Sequence, residues 1–116
     1  MGYMRHDAIV VTSWKREALI EAAQHAVAIG LDVIGPSEDA TNGIATFLVC
    51  PDGSKEGWEE SNLFDGLRAT FLKYLNGVRH EDNSSCLSWV AIAYGSDDQG
   101  AEITAHTWQI GLPANV

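Results

Sequence analysis

The sequence predicts an α+β domain, on three observations. Apolar runs of strand length, rich in β-branched residues, alternate with two segments of helical periodicity. Their order is β-α-β-β-α-β followed by one more strand, which is the ferredoxin-like pattern with an addition. The expected antiparallel sheet has strand order 2-3-1-4-5, with two helices on one face. The 116 residues are long enough for one core, so we expect a single domain with loose ends at 1–6 and 110–116.

The first strand and helix are predicted at 7–14 and 15–30. The strand has a continuous apolar centre, which predicts neighbours on both sides in the sheet. Thr12 or Ser13 is expected to cap the helix, and Gly30 is placed to end it. The helix has one small, apolar face, formed by Leu19, Ala22, Ala23, Ala26 and Ile29.

The second and third strands are predicted at 31–36 and 44–50. A polar turn separates them, so the two are expected to form a hairpin. Pro36 suits a strand end or an exposed edge, because it has no backbone N–H to donate.

The second helix is predicted at 61–78 and the last two strands at 86–94 and 101–108. The helix has a wide apolar face, formed by Phe64, Leu67, Phe71, Tyr74, Leu75 and Val78. Asp65 near its start and Arg79 after its end suit the helix dipole. The last strands form a hairpin that leaves an open sheet edge, which makes both a monomer and a homodimer reasonable.

The composition excludes some partners. There are 16 acidic and 7 basic residues, giving a net charge of −9. Such a field repels phosphate backbones, so direct nucleic-acid binding is not expected. Two interpretations of the negative charge remain open. It contributes to solubility, or it mimics the charge of nucleic acid and so attracts a basic partner. No apolar run approaches the roughly 20 residues of a membrane-spanning helix, and no secretory signal is visible, so we expect a cytoplasmic protein.

The sequence shows no catalytic constellation. It has no nucleophile elbow and no phosphate-binding glycine loop. Cys50 and Cys86 lie in apolar runs without a second ligand at metal spacing, so we expect buried thiols and neither a disulfide nor a zinc site. The four histidines are scattered, and His106 is retained as a candidate partner contact on the exposed last strand. No catalytic residue, metal or cofactor is predicted.

The strongest candidate for a binding surface is the charged, turn-rich loop at 51–61. It follows an apolar strand, precedes the second helix, and carries Lys55, Trp58 and Glu59. Loops held between ordered elements often carry binding residues. Two interpretations of Trp58 remain open, because it either covers the start of the second helix or anchors a ligand or partner.

A small signalling nucleotide is one candidate ligand. In that case Lys55, Arg68 and Arg79 are expected to contact its phosphates. Trp58 and Trp108 are expected to contact its base.

The string Pro-Asp-Gly-Ser-Lys-Glu-Gly-Trp-Glu-Glu-Ser at 51–61 resembles a segment of small phage-encoded proteins of unassigned function. The resemblance extends back to Phe47, and the run at 5–14 and Ser88-Trp89-Val90 followed by Tyr94-Gly95 resemble these proteins as well. The resemblance implies a phage or prophage accessory protein that acts in the host cytoplasm, and it implies no activity or site residue.

Together these observations favour a non-enzymatic phage accessory protein. It would bind and inhibit or sequester a host component, either a host protein or a small signalling nucleotide. Three alternatives remain: an acidic DNA mimic, a virion or assembly component, and a metal-dependent hydrolase that uses Glu56 and Glu59 of the acidic loop.

Overall fold

The structure is a computed structural model, and it describes residues 5–38, 41–53, 58–78, 85–95 and 100–107. Its strands and α-helices, in chain order, are β1 (His6–Ser13), α1 (Arg16–Ala28), β2 (Val33–Ile34), β3 (Ala45–Val49), α2 (Glu59–Gly77), β4 (Ser88–Tyr94) and β5 (Glu102–His106). The strands form one antiparallel sheet in the order β2-β3-β1-β4-β5. The predicted α+β class, element order and sheet order are confirmed.

The first helix ends as predicted but begins differently. Gly30 has a φ of 109°, and the backbone N–H groups of Gly30 and Leu31 donate to Val27 and Ala26 in a Schellman closure. The N-cap residue is Lys15, which makes no side-chain cap. Ser13 lies earlier, where its Oγ accepts from the Lys15 N–H at 2.9 Å and donates to the Cys86 carbonyl at 2.6 Å. Neither Thr12 nor Ser13 is therefore the helix cap.

The second strand is shorter than the sequence predicts. The Leu31 N–H donates to Ala26 at the end of α1, and Pro36 has no N–H to donate to a neighbouring strand. Regular pairing with β3 is therefore limited to Val33 and Ile34. The predicted antiparallel pairing of the second and third strands is confirmed, and β1 has β3 and β4 as its two neighbours.

Both helices contribute to one core on one side of the sheet. We call this side the core face. Phe71 of α2 lies with its ring centroid 6.3 Å from that of Phe47 in β3, and His25 of α1 stacks on Tyr74 of α2 at 4.0 Å. The buried core-face residues of the sheet are Ile9, Val11, Ala45, Phe47, Val49, Trp89 and Ala91. Among the described residues, the helices are too short or too polar to cross a bilayer.

Candidate protein-binding surface

The other side of the sheet turns away from the helices, and we call it the open face. Strand register assigns its members, because directly opposed residues point to the same side. They are His6, Ala8, Val10, Thr12, Ile34, Thr46, Leu48, Ser88, Val90, Ile92, Tyr94, Ile103 and His106. None of these residues is Asp, Glu, Lys or Arg. The open face is thus free of formal charge apart from histidine, on a chain of net charge −9.

One row of the open face crosses all five strands. It consists of Ile34, Leu48, Val10, Val90 and His106, each opposite the next. Ile34 is 64% exposed, and the three central residues are half-buried. Antiparallel sheets with one covered face usually present polar side chains on the other. A contiguous apolar row in solvent is typical of an interaction surface.

Hydroxyl groups border this row on one side. Thr12 and Thr46 share a hydrogen bond of 2.9 Å between their Oγ1 atoms, and Ser88 lies opposite Thr12. A shallow depression of about 290 Å³ lies here, lined in part by Val10, Ser88 and His106. On the other side lie the apolar residues Ala8, Ile92 and Ile103, so the face is amphipathic along the strand direction.

The β5 edge adjoins the open face. The sheet order makes β5 a terminal strand, and among the described residues only β4 pairs with it. The Thr107 N–H donates to the Trp89 carbonyl at 3.0 Å. Hydrogen-bonded and non-hydrogen-bonded pairs alternate in an antiparallel ladder, so Val90 and His106 form a non-hydrogen-bonded pair. The backbone N–H and C=O of His106 therefore point away from β4.

The opposite edge of the sheet offers less backbone. β2 has two residues and is followed by Pro36. Ser37 then closes against β3: its N–H donates to the Thr46 carbonyl at 2.8 Å, and its Oγ accepts from the Thr46 N–H at 3.0 Å. Short edge strands with proline are the usual protection against strand addition. The β5 edge has five residues and no proline.

Arg68, a predicted phosphate contact, is buried among carboxylates of its own chain. Its side chain is 7% exposed. Nη1 donates to Asp52 Oδ1 at 2.9 Å and Nη2 to Asp65 Oδ1 at 2.6 Å, while Asp7 Oδ2 lies 3.8 Å from Nη2. This cluster joins β1, the segment after β3, and α2. Contact of Arg68 with a ligand phosphate stays a prediction, and it would have to compete with these carboxylates.

The ionisation of this cluster follows from burial and pairing. Burial alone lowers the pKa of Arg68, but hydrogen bonds to Asp52 and Asp65 outweigh it and raise that pKa. Burial raises the pKa of Asp7, an effect that Arg68 opposes and Asp65 reinforces. A permanent guanidinium cation with three acids explains the cluster as a structural tie between elements.

The other predicted site residues are dispersed. Trp58 is the N-cap of α2 and is 49% exposed, and Glu59 begins that helix in solvent. An acidic residue there suits the positive end of the helix dipole. His106 lies on the open face. Lys55, Arg79 and Trp108 lie outside the described residues.

Both cysteines are free thiols, but the prediction of buried thiols holds only for Cys86, because Cys50 is half-buried. Cys86 is buried, and burial followed by the charge of Asp32 raises the pKa of Cys50. A raised pKa disfavours the reactive thiolate. Within the described ranges, no three His, Cys, Asp or Glu side chains are grouped so as to hold a metal ion.

The open face was not predicted, although the sequence contains a pattern that indicates it. Val10 and Ile9 are both apolar, as are Val90 and Ala91, so residues of both strand faces are apolar. That pattern is typical of strands covered on two sides. The sequence prediction explains the apolar residues by neighbouring strands within the sheet and does not include a layer that covers its second face.

Comparison with known proteins found no matching family model, no matching curated protein and no matching solved structure.

Proposed function

We propose that this chain is a non-enzymatic binding protein of the host cytoplasm that captures an extended segment of a host protein by strand addition to β5. The observation that carries the proposal is the terminal position of β5 in the sheet, where among the described residues β4 alone pairs with it. The resemblance of residues 51–61 to small phage-encoded proteins supports a host component as the target. Inhibition follows if the captured segment is one that the host protein needs.

Strand addition suits the backbone geometry of β5. The outward N–H and C=O of His106 form a donor and acceptor pair for an incoming strand. The side chains of Glu102, Ile103 and His106 are exposed, so no side chain of the core has to move. Main-chain hydrogen bonds then provide affinity, and alternate side chains provide specificity.

Charge selects the captured segment. The chain carries −9 overall, and Glu102 lies on β5 in an ion pair with Arg5. A segment bearing Lys or Arg is therefore favoured over an acidic one. Affinity for it is expected to fall as salt is added, because exposed charges are screened.

The test uses one position with two substitutions. His106→Pro removes the outward N–H without removing a bond to β4, whereas His106→Ala removes the imidazole and keeps the N–H. Tagged wild type, His106→Ala and His106→Pro are purified gently from host cells, and native mass spectrometry reports retained companions. We expect a host protein at fixed stoichiometry with wild type and His106→Ala, and its loss with His106→Pro.

Circular dichroism and thermal melting show whether His106→Pro is folded. Equal retention by folded His106→Pro contradicts strand addition, as does the absence of any protein companion from wild type. A retained mass of a few hundred daltons supports nucleotide sequestration and overturns the proposal. Equal loss by His106→Ala and His106→Pro would assign binding to the imidazole.

A further inference from the structure

We infer that the open face is the contact surface for a second copy of this chain, in a two-fold dimer with the two sheets packed face to face. The open face includes the side chains of Ile103 and His106, whereas strand addition uses the outward backbone of β5, and the inference is independent of the proposed function. It rests on the composition of the open face, the charge of the chain and the area available.

The apolar composition of the open face favours burial against another surface. The central row presents Ile34, Leu48, Val10 and Val90 to solvent as one apolar band, and Ile92 and Ile103 extend it. Removing such a band from water is favourable by roughly 25 cal/mol per Å². Among its polar groups, Thr12 and Thr46 share one hydrogen bond with each other, which lowers the cost of burying them.

Charge favours a second copy over a different protein. Two chains of −9 repel one another wherever acidic residues meet. The open face has no Asp or Glu, so it is a surface on which two copies can meet without this repulsion. A basic partner would instead be attracted to the acidic parts of the chain. A two-fold contact is self-complementary, which an uncharged apolar band satisfies.

The area suits a weak dimer. The five strands have 8, 2, 5, 7 and 5 residues, so at about 3.4 Å per residue and about 4.8 Å between strands the open face covers roughly 440 Å². Two copies then bury roughly 900 Å², which is the size of a weak or transient interface. Face-to-face sheets align at about 30° with about 10 Å between them.

The experiment measures mass by sedimentation velocity over a dilution series from about 1 to about 500 µM. Wild type is compared with Val10→Glu at the centre of the open face. Two controls place the same charge on exposed apolar residues of the helices, Val27→Glu on α1 and Leu63→Glu on α2. Edge-to-edge pairing is tested by comparing His106→Pro with His106→Ala, because both lack the imidazole on the open face and only the proline lacks the outward N–H. Circular dichroism confirms folding of each variant.

We expect a concentration-dependent wild-type dimer that both helix controls retain. Val10→Glu is expected to raise the dissociation constant roughly 30-fold or more, because each copy buries an unpaired charge. His106→Pro should weaken the dimer no more than His106→Ala does, even if only the proline variant loses the host protein, so failure of this inference and of the proposed function are separable.

Three outcomes overturn the inference. One is a wild-type monomer at every concentration. Another is a dimer that His106→Pro abolishes and both His106→Ala and Val10→Glu retain, which would assign it to the β5 edge. The third is a dimer that appears only after removal of residues 108–116, which would identify that segment as the occupant of the open face.

Discussion

The two faces of the sheet are built from the same strands and similar side chains, yet within the part of the chain that the structure describes only one is covered by helices. Phe47 and Leu48 are adjacent in β3, and both are apolar. Phe47 points into the core against Phe71, whereas Leu48 lies on the open face, half-buried between Ile34 and Val10. The comparison separates two uses of apolar residues: the core face holds the fold together, and the open face is available for association.

Hydrogen bonds between elements reinforce the packing of the helices on the core face. Ser13 of β1 bonds to the backbone of Cys86, and Arg68 of α2 bonds to Asp52 in the segment after β3. On the open face, the Thr12 and Thr46 side chains share a hydrogen bond across the strands. Substitutions on the core face should therefore change the free energy of unfolding, while those on the open face should mainly change association.

The largest effect is expected from the adjacent pair Phe47→Ala and Leu48→Ala. Phe47 is 1% exposed, and its truncation leaves a cavity in the core, so we expect a loss of about 3–5 kcal/mol. Leu48→Ala should cost about 1 kcal/mol or less in the monomer. Urea denaturation at low protein concentration measures both. Similar losses for the two variants would contradict the distinction between the faces.

Arg68→Met tests the tie beside the core face. It leaves the carboxylates of Asp52 and Asp65 without the guanidinium, and the Asp52 side chain is itself only 7% exposed. We expect a loss of about 3 kcal/mol in the free energy of unfolding. Arg16→Met is the control, because Arg16 is exposed on α1, and its effect should stay within about 0.5 kcal/mol. A stable Arg68→Met protein would free Arg68 for a role in ligand binding.

The sequence was sufficient for the fold but not for the site. Periodicity and turn residues predict the helices and strands, because these depend on neighbouring residues, and the element order then predicts the sheet order through the ferredoxin-like pattern. Arg68 is buried beside Asp52 and Asp7, which come close to it only in the tertiary fold. The sequence of α2 alone therefore does not predict this burial, and Arg68 was expected to contact a phosphate. The open face likewise depends on which strand side the helices cover, and apolar residues on both sides leave that undetermined.

A smaller effect is expected from the adjacent hydroxyls of β1. Ser13 is buried, and Ser13→Ala leaves the Cys86 carbonyl and the Lys15 N–H without their partner, at about 1–3 kcal/mol. Thr12→Val, on the open face, should change unfolding by about 0.5 kcal/mol or less. Thermal melting of the two variants measures the contrast. A larger loss for Thr12→Val would show that the open face also stabilises the monomer.

The smallest effect, and the one with a defined pH dependence, is expected for Asp7→Asn. Burial raises the pKa of Asp7 above its ordinary 3.8, although Arg68 opposes this. The folded chain therefore binds a proton more readily than the unfolded chain does, and stability falls as pH rises from 3.8 through the raised pKa. At neutral pH the charged carboxylate disfavours the fold, so Asp7→Asn should melt at a higher temperature than wild type.

Below the unfolded pKa, Asp7 is protonated in both states, and the advantage of asparagine should disappear. Melting of wild type and Asp7→Asn from about pH 3 to about pH 7 measures this trend. A constant difference across that range would assign the effect to shape or hydrogen bonding instead of ionisation. A lower melting temperature for Asp7→Asn at neutral pH would mean that attraction to Arg68 outweighs burial, and that Asp7 belongs to the stabilising tie of the core face.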